Sequence, residues 1–225
     1  MMKRSGVAAV LAGAVLVLGQ ESWAGRNRGT PPTGPCGTCQ VVAAATALTE
    51  QEAADLLHLR QEEKLARDTY QALYAVWGLR PFDSIAASEQ RHVDAVLALL
   101  ATYGIADPLP DAAAGTFSDP EIQGLFEALV TVGGQSIVEA LRVGAMVEDL
   151  DIADLDAAAA VSENAALQTV YTNLVRGSEN HMRSFAAQLA RNGQTYTPQF
   201  ISQARFDAII GSTVPSGRRA VRQRP

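Results

Sequence analysis

Along most of the chain, apolar residues return every three or four positions, the period of an α-helix with one buried face. The first such run opens on Thr49-Glu50-Gln51-Glu52, which reads as a capping box, and is predicted to continue to Trp77, where Gly78 ends it. Its stripe is Leu56, Leu59, Glu63, Ala66, Tyr70, Leu73 and Trp77. Gly78-Leu79-Arg80-Pro81 is a turn too short for anything but an antiparallel neighbour. The second helix should stop at Gly104, and its stripe is Phe82, Ile85, Glu89, His92, Val96, Leu99 and Tyr103. A long connection follows, with Asp107-Pro108 and Leu109-Pro110-Asp111, then a short helix opened by Ser118-Asp119-Pro120-Glu121 and closed near Gly133-Gly134. A connection of that length can return the chain to the opposite end of a bundle, so that the next long helix runs parallel to the second. Ser136 to about Leu155 forms the third helix, with the stripe Ile137, Leu141, Gly144, Glu148, Asp151 and Leu155. The fourth runs from Ser162-Glu163 to Asn192-Gly193 on the stripe Leu167, Tyr171, Leu174, Ser178, His181, Phe185 and Leu189. A short helix from Pro198 to about Ile210 should pack on the bundle end.

Each apolar stripe is interrupted near its middle by polar side chains: Glu63; Glu89 and His92; Glu148 and Asp151; Ser178 and His181. Residues three apart on a helix lie roughly 60° from each other around its axis, so Glu89 and His92 can share one ion. Buried acids need a counter-charge, and no Lys or Arg occupies these stripes. One or two divalent cations would supply it. Carboxylates in excess over imidazoles favour iron or manganese over zinc. Other polar residues near the stripes carry blander expectations. Glu62 and Lys64 are rotated toward the flanks, His58 is a boundary histidine four residues from Glu62, Asp149 is turned away, and Asp154 and Asp156 are solvated charges. Gly177 should permit close approach of another backbone.

Composition narrows the picture. With 225 residues, 48% of them hydrophobic, the chain can bury one sizeable core, and a net charge of -6 argues against a nucleic-acid partner. The start Met1-Met2-Lys3-Arg4, the apolar run from Val7 to Leu18 and Ser22-Trp23-Ala24 read as a secretory signal over residues 1–24, so a secreted or periplasmic protein with no membrane span after cleavage is expected. Residues 25–47 read as a Gly/Pro/Thr-rich linker, residues 48–212 as the helical domain and residues 213–225 as a basic tail with Arg218, Arg219, Arg222 and Arg224. The only cysteines, Cys36 and Cys39, lie in the linker, where a local disulfide is the expected form.

The polar layer resembles that of ferritin-like carboxylate proteins, in which two helices each give a Glu and two give Glu-x-x-His. Glu63 to Tyr70 is similar to the first-helix motif of rubrerythrins and ferritins, and Glu89-Gln90-Arg91-His92 to their second. The run Glu62 to Asp68, Ser88-Glu89-x-x-His92 and Gly177-Ser178-x-x-His181 resemble the ferritin-like family called domain of unknown function 2202. The resemblance implies an all-α, ferritin-like four-helix bundle with a long crossover between helices 2 and 3 and a short C-terminal helix. It further implies iron or manganese held by Glu63, Glu89, His92, Glu148, Asp151 and His181, with Glu89 bridging or ligating. One position departs from the pattern. Ser178 stands where rubrerythrins have the carboxylate that bridges two metals, so both a dinuclear site with altered bridging and a single-metal site fit.

Two functions follow as expectations. One is oxidative chemistry with oxygen or peroxide on an unidentified substrate; the other is metal binding, storage or sensing without turnover in the cell envelope. A purely structural bundle for protein interaction, its polar layer setting helix register, is the third alternative. Two cysteines cannot build the four-cysteine electron donor of full rubrerythrins. A homo-oligomer is compatible with all three readings.

Overall fold

The computed structural model describes residues 47–212, so the expectations for the signal, most of the linker with Cys36 and Cys39, and the basic tail lie outside the described residues. Among these residues there are six helices and no strand: α1 (Glu50–Trp77), α2 (Arg80–Thr102), α3 (Pro120–Gly133), α4 (Ile137–Val161), α5 (Ala165–Arg191) and α6 (Gln203–Gly211). None of them is long and apolar enough to cross a membrane.

The predicted boundaries hold at the strong caps and move elsewhere. Thr49 and Glu52 form the expected capping box, and Gly78 closes α1 in the left-handed region at φ 61°. Glu52 also accepts a 2.6 Å bond from Ser162 Oγ, tying the start of α1 to the α4–α5 connection. The third long helix does not stop at Leu155. It continues to Val161, because Asp156-Ala157-Ala158-Ala159-Ala160 contains nothing that breaks a helix. Asn164, not Ser162, caps α5, accepting from the amides of Ala166 and Leu167. The last helix starts at Gln203, not Pro198, with Ser202 as its cap.

The four long helices close a ring of contacts: α1 against α2 and α4, and α5 against α4 and α2, while α3 covers α1 and α4. Their core has two parts on either side of the polar layer. One end is aliphatic, with Leu56, Leu59, Val96, Leu99, Leu155 and Leu174 fully or almost fully buried. At the other end Tyr70, Phe82 and Phe185 pack with ring centroids 5.3–6.1 Å apart.

Two acids off the apolar stripes, Asp68 and Asp149, hold the connections in place. Lys64 and Asp68, both buried, pair with each other; Lys64 donates to Ala113 O at 2.8 Å and Asp68 accepts from the Gly115 amide at 2.8 Å. Arg60 pairs with Asp107 and Gln61 accepts from the Asp119 amide. Together these four residues of α1 fasten the connection between α2 and α3. Asp149 faces away from the polar layer, as expected, but not into solvent. It accepts from Tyr196 Oη and from the amides of Gln199, Phe200 and Ile201, and so holds the segment that leads into α6.

Candidate metal centre

Between the aliphatic and aromatic ends of the core, the polar side chains of all four long helices converge. Glu63 comes from α1, Glu89 and His92 from α2, Glu148 from α4 and His181 from α5; all are buried. His92 Nδ1 lies 2.7 Å from Glu89 Oε2 and 3.2 Å from Glu63 Oε2. His181 Nδ1 lies 2.6 Å from Glu89 Oε1 and 3.4 Å from Glu148 Oε2. Glu63, Glu89 and His92 thus form one group, and Glu89, Glu148 and His181 a second, each with one ligand atom per residue within 4.8 Å of the others. Glu89 belongs to both groups, one oxygen turned to each imidazole. The two imidazole rings stack with centroids 5.5 Å apart.

Several atoms in this layer are buried with no hydrogen-bond partner: Glu63 Oε1, Glu89 Oε1, Asp151 Oδ1 and His181 Nδ1. Glu89 Oε1 and His181 Nδ1 are the same pair that approach to 2.6 Å, so they are close without pointing at each other. Two ligands aimed at a common third point have that geometry. Buried polar atoms are ordinarily paired, and four orphans in one layer mark a place built for a further partner. The donor set of carboxylate oxygens and imidazole nitrogens fits a first-row divalent cation.

The electrostatics agree. Burial raises the Glu63 carboxyl, against the opposing pull of His92, to about 7, and raises Glu148 and Asp151 as well. Glu89 is held below its ordinary range. Burial would raise it, but His181 and then His92 outweigh that cost. The imidazoles go the other way. Burial opposes their charge, yet the facing carboxylates lift His92 to about 11 and His181 to about 10. Without a cation, the acids of the layer are therefore balanced by two imidazolium protons.

Asp151 is the one sequence candidate outside the two groups. Its Oδ2 accepts a 2.5 Å bond from Ser178 Oγ, and its Oδ1 is the orphan named above. Ser178, in the place of the expected carboxylate, thus orients a carboxylate that reaches in from α4. Glu179 is turned away and pairs with Arg205 at 2.7 Å. Tyr70 is more than an ordinary core tyrosine: it donates to Glu148 Oε1 at 2.5 Å. Tyr171 packs in the aliphatic cluster instead, where burial and then the charges of Asp55 and Glu52 raise its hydroxyl. Gly177 does permit close approach, but of a side chain instead of a backbone: a Cβ there would lie 2.4 Å from His92 Nε2.

His58 is the boundary histidine expected, half-buried and paired with Glu62 one turn on, but the expectations for Glu62 and Asp154 need correction. Glu62 is buried, and with His58 and Asp154 it forms a third group of ligand atoms within 4.8 Å, on α1 and α4. Asp154 is half-buried because it faces α1, not solvent.

Residues 52–213 match the model of the uncharacterized protein domain DUF2202. The chain belongs to this family. The DUF2202 domain holds the whole candidate site, from Glu63 to His181. The chain is 46% identical over 170 residues to an uncharacterized protein of Methanocaldococcus jannaschii, a match covering 76% of this chain and 92% of the relative. It is also similar to the crystal structure of a hypothetical protein of Methanococcus jannaschii, with a TM-score of 0.74, 46% identity, and coverage of 75% of this chain and 96% of that one.

Proposed function

We propose that this DUF2202 domain is a ferritin-like bundle, with the α2–α4 connection as its long crossover, that binds two iron or manganese ions and reacts with oxygen or peroxide in a secreted or periplasmic setting. The observation that carries the reading is the membership of Glu89 in both ligand groups. A carboxylate with one oxygen toward each of two imidazoles is suited to bridge two cations, which favours two ions over one. Four carboxylates against two imidazoles favour iron or manganese.

Bound there, such ions would supply the electron transfer to oxygen or peroxide. The chain's own residues prepare the place. Tyr70 fixes one oxygen of Glu148, Ser178 fixes one of Asp151, and the other Asp151 oxygen is left for a ligand. The aromatic trio and the aliphatic cluster keep water out on both sides. His92 and His181 must lose their protons before they can ligate, so metal uptake releases protons.

Elemental analysis of the full chain, purified with its metal retained, tests the reading. About two equivalents are expected in the wild type and close to none in Glu89→Ala; full retention by Glu89→Ala would overturn the proposal. A second reading, metal binding without turnover, is favoured by the orphan oxygen of Asp151, which could close the coordination shell. Consumption of oxygen or peroxide by the loaded protein in the presence of a reductant distinguishes the two.

A further inference from the structure

The group formed by His58, Glu62 and Asp154 lies outside the layer described above and shares no residue with it. His58 and Glu62 are four residues apart on α1, and His58 Nε2 lies 3.0 Å from Glu62 Oε1. An imidazole and a carboxylate at that spacing lie on one face of a helix, where they can chelate one ion. Asp154 completes the trio from α4, which packs against α1.

A plain His–Glu ion pair does not account for Asp154. Placing a second carboxylate beside a buried one is unfavourable unless a proton or a cation is shared between them. The chain has the means to neutralise acids nearby and does so: Asp156, two residues on, pairs with Arg205 at 3.3 Å. No Lys or Arg among the described residues pairs with Glu62 or Asp154, although Glu62 is as buried as the acids of the central layer. The trio is also accessible where the central layer is not, since the His58 side chain is 33% exposed.

We infer that His58, Glu62 and Asp154 form a second divalent-cation site, open to solvent at His58 and independent of the central layer, that takes a first-row ion suited to mixed imidazole and carboxylate ligands. Three protein ligands leave positions for water, so the ion exchanges with the medium more readily than one in the core. Glu62 and Glu63 are consecutive, and Asp151 and Asp154 are one turn apart. The site therefore lies on the same two helices as the central layer, but shares no residue with it.

Zinc, which has no redox chemistry, is the probe. The full chain is titrated with zinc against a chromophoric chelator, and equivalents are counted for wild type, His58→Ala, Glu62→Gln and Glu89→Ala. The wild type is expected to bind one more equivalent than His58→Ala or Glu62→Gln, and Glu89→Ala to keep that equivalent. Glu62→Gln keeps the shape and a hydrogen-bonding group while removing the charge, so loss of zinc there separates ligation from a structural role. The chain has three histidines, so the imidazole nitrogens of the wild type can be followed individually by NMR. Zinc should shift the His58 signal whether or not the variants fold. Equal zinc counts in wild type, His58→Ala and Glu62→Gln, or a His58 signal unmoved by zinc, would overturn the inference. Because Glu89→Ala removes the central site alone, failure there and failure here are distinguishable.

Discussion

The α1–α2 half and the α4–α5 half of the bundle build the same kind of corner from different residues. In the first, Glu63 faces Glu89 and His92, and the two acids and the imidazole are in place without outside help. In the second, Glu148 faces His181, but the position matching Glu89 is Ser178. Two other carboxylates serve this corner. Glu89 turns its other oxygen across to His181, and Ser178 orients Asp151 from the neighbouring helix. A helix with serine at that position can therefore still serve the layer, because the hydroxyl aims a carboxylate from its neighbour. The first half is self-sufficient, and the second borrows.

The sharpest way to break that contrast is to remove one imidazole at a time. His92→Ala and His181→Ala should each lose about one of two metal equivalents, measured by elemental analysis after dialysis. If either variant loses both, the two positions do not fill independently and the division into halves fails. A smaller effect is expected at the aiming hydroxyl. Ser178→Ala should weaken the second equivalent by roughly 10–100-fold and leave the first untouched, as removal of a ligand's supporting hydrogen bond usually does; competitive titration reads both constants. Equal weakening of the two would show that Ser178 does not belong to one half.

The smallest effect concerns Glu63 in metal-free protein. Its folded value, about 7, lies above its ordinary 4.5, so the stability it contributes is fully present below 4.5 and is lost as pH rises through about 7. Glu63→Gln has no such titration. Metal-free Glu63→Gln should melt above the wild type at pH 8, with the gap closing toward pH 4.5, at about 2–4 °C for each kcal/mol of difference. Thermal melts at the two pH values check the sign. With metal bound the order should reverse, because the variant then lacks a ligand.

Much of the central layer was legible in the sequence because charges inside an apolar stripe are conspicuous. Five of the six residues expected to ligate stand in the two groups, and Asp151 stands beside them with one oxygen held by Ser178. What periodicity could not show was what lies off the stripe. Periodicity turns Glu62 and Lys64 to the flanks and gives Asp68 no place, because a helix in a simple bundle has a wet side. Here α3 and its connection cover that side, and nothing local to α1 announces a cover that arrives some fifty residues later. Asp149 reads as off the layer and lies there, but its partners at Tyr196 and residues 199–201 are likewise non-local. Gly177 was legible as a close contact but not by what, since that depends on the register of α5 against α2.

The middle of α1 carries a consequence beyond the site. Residues 59–66 are all buried, so this stretch presents no outer face at all. Three consecutive charges there look in different directions: Glu62 toward His58 and Asp154, Glu63 toward the central layer, and Lys64 toward the α2–α3 connection. A helix enclosed on every side cannot peel away by itself, and its backbone amides can exchange with solvent only when the bundle as a whole comes apart. A segment dense in charge is thereby the one last to open.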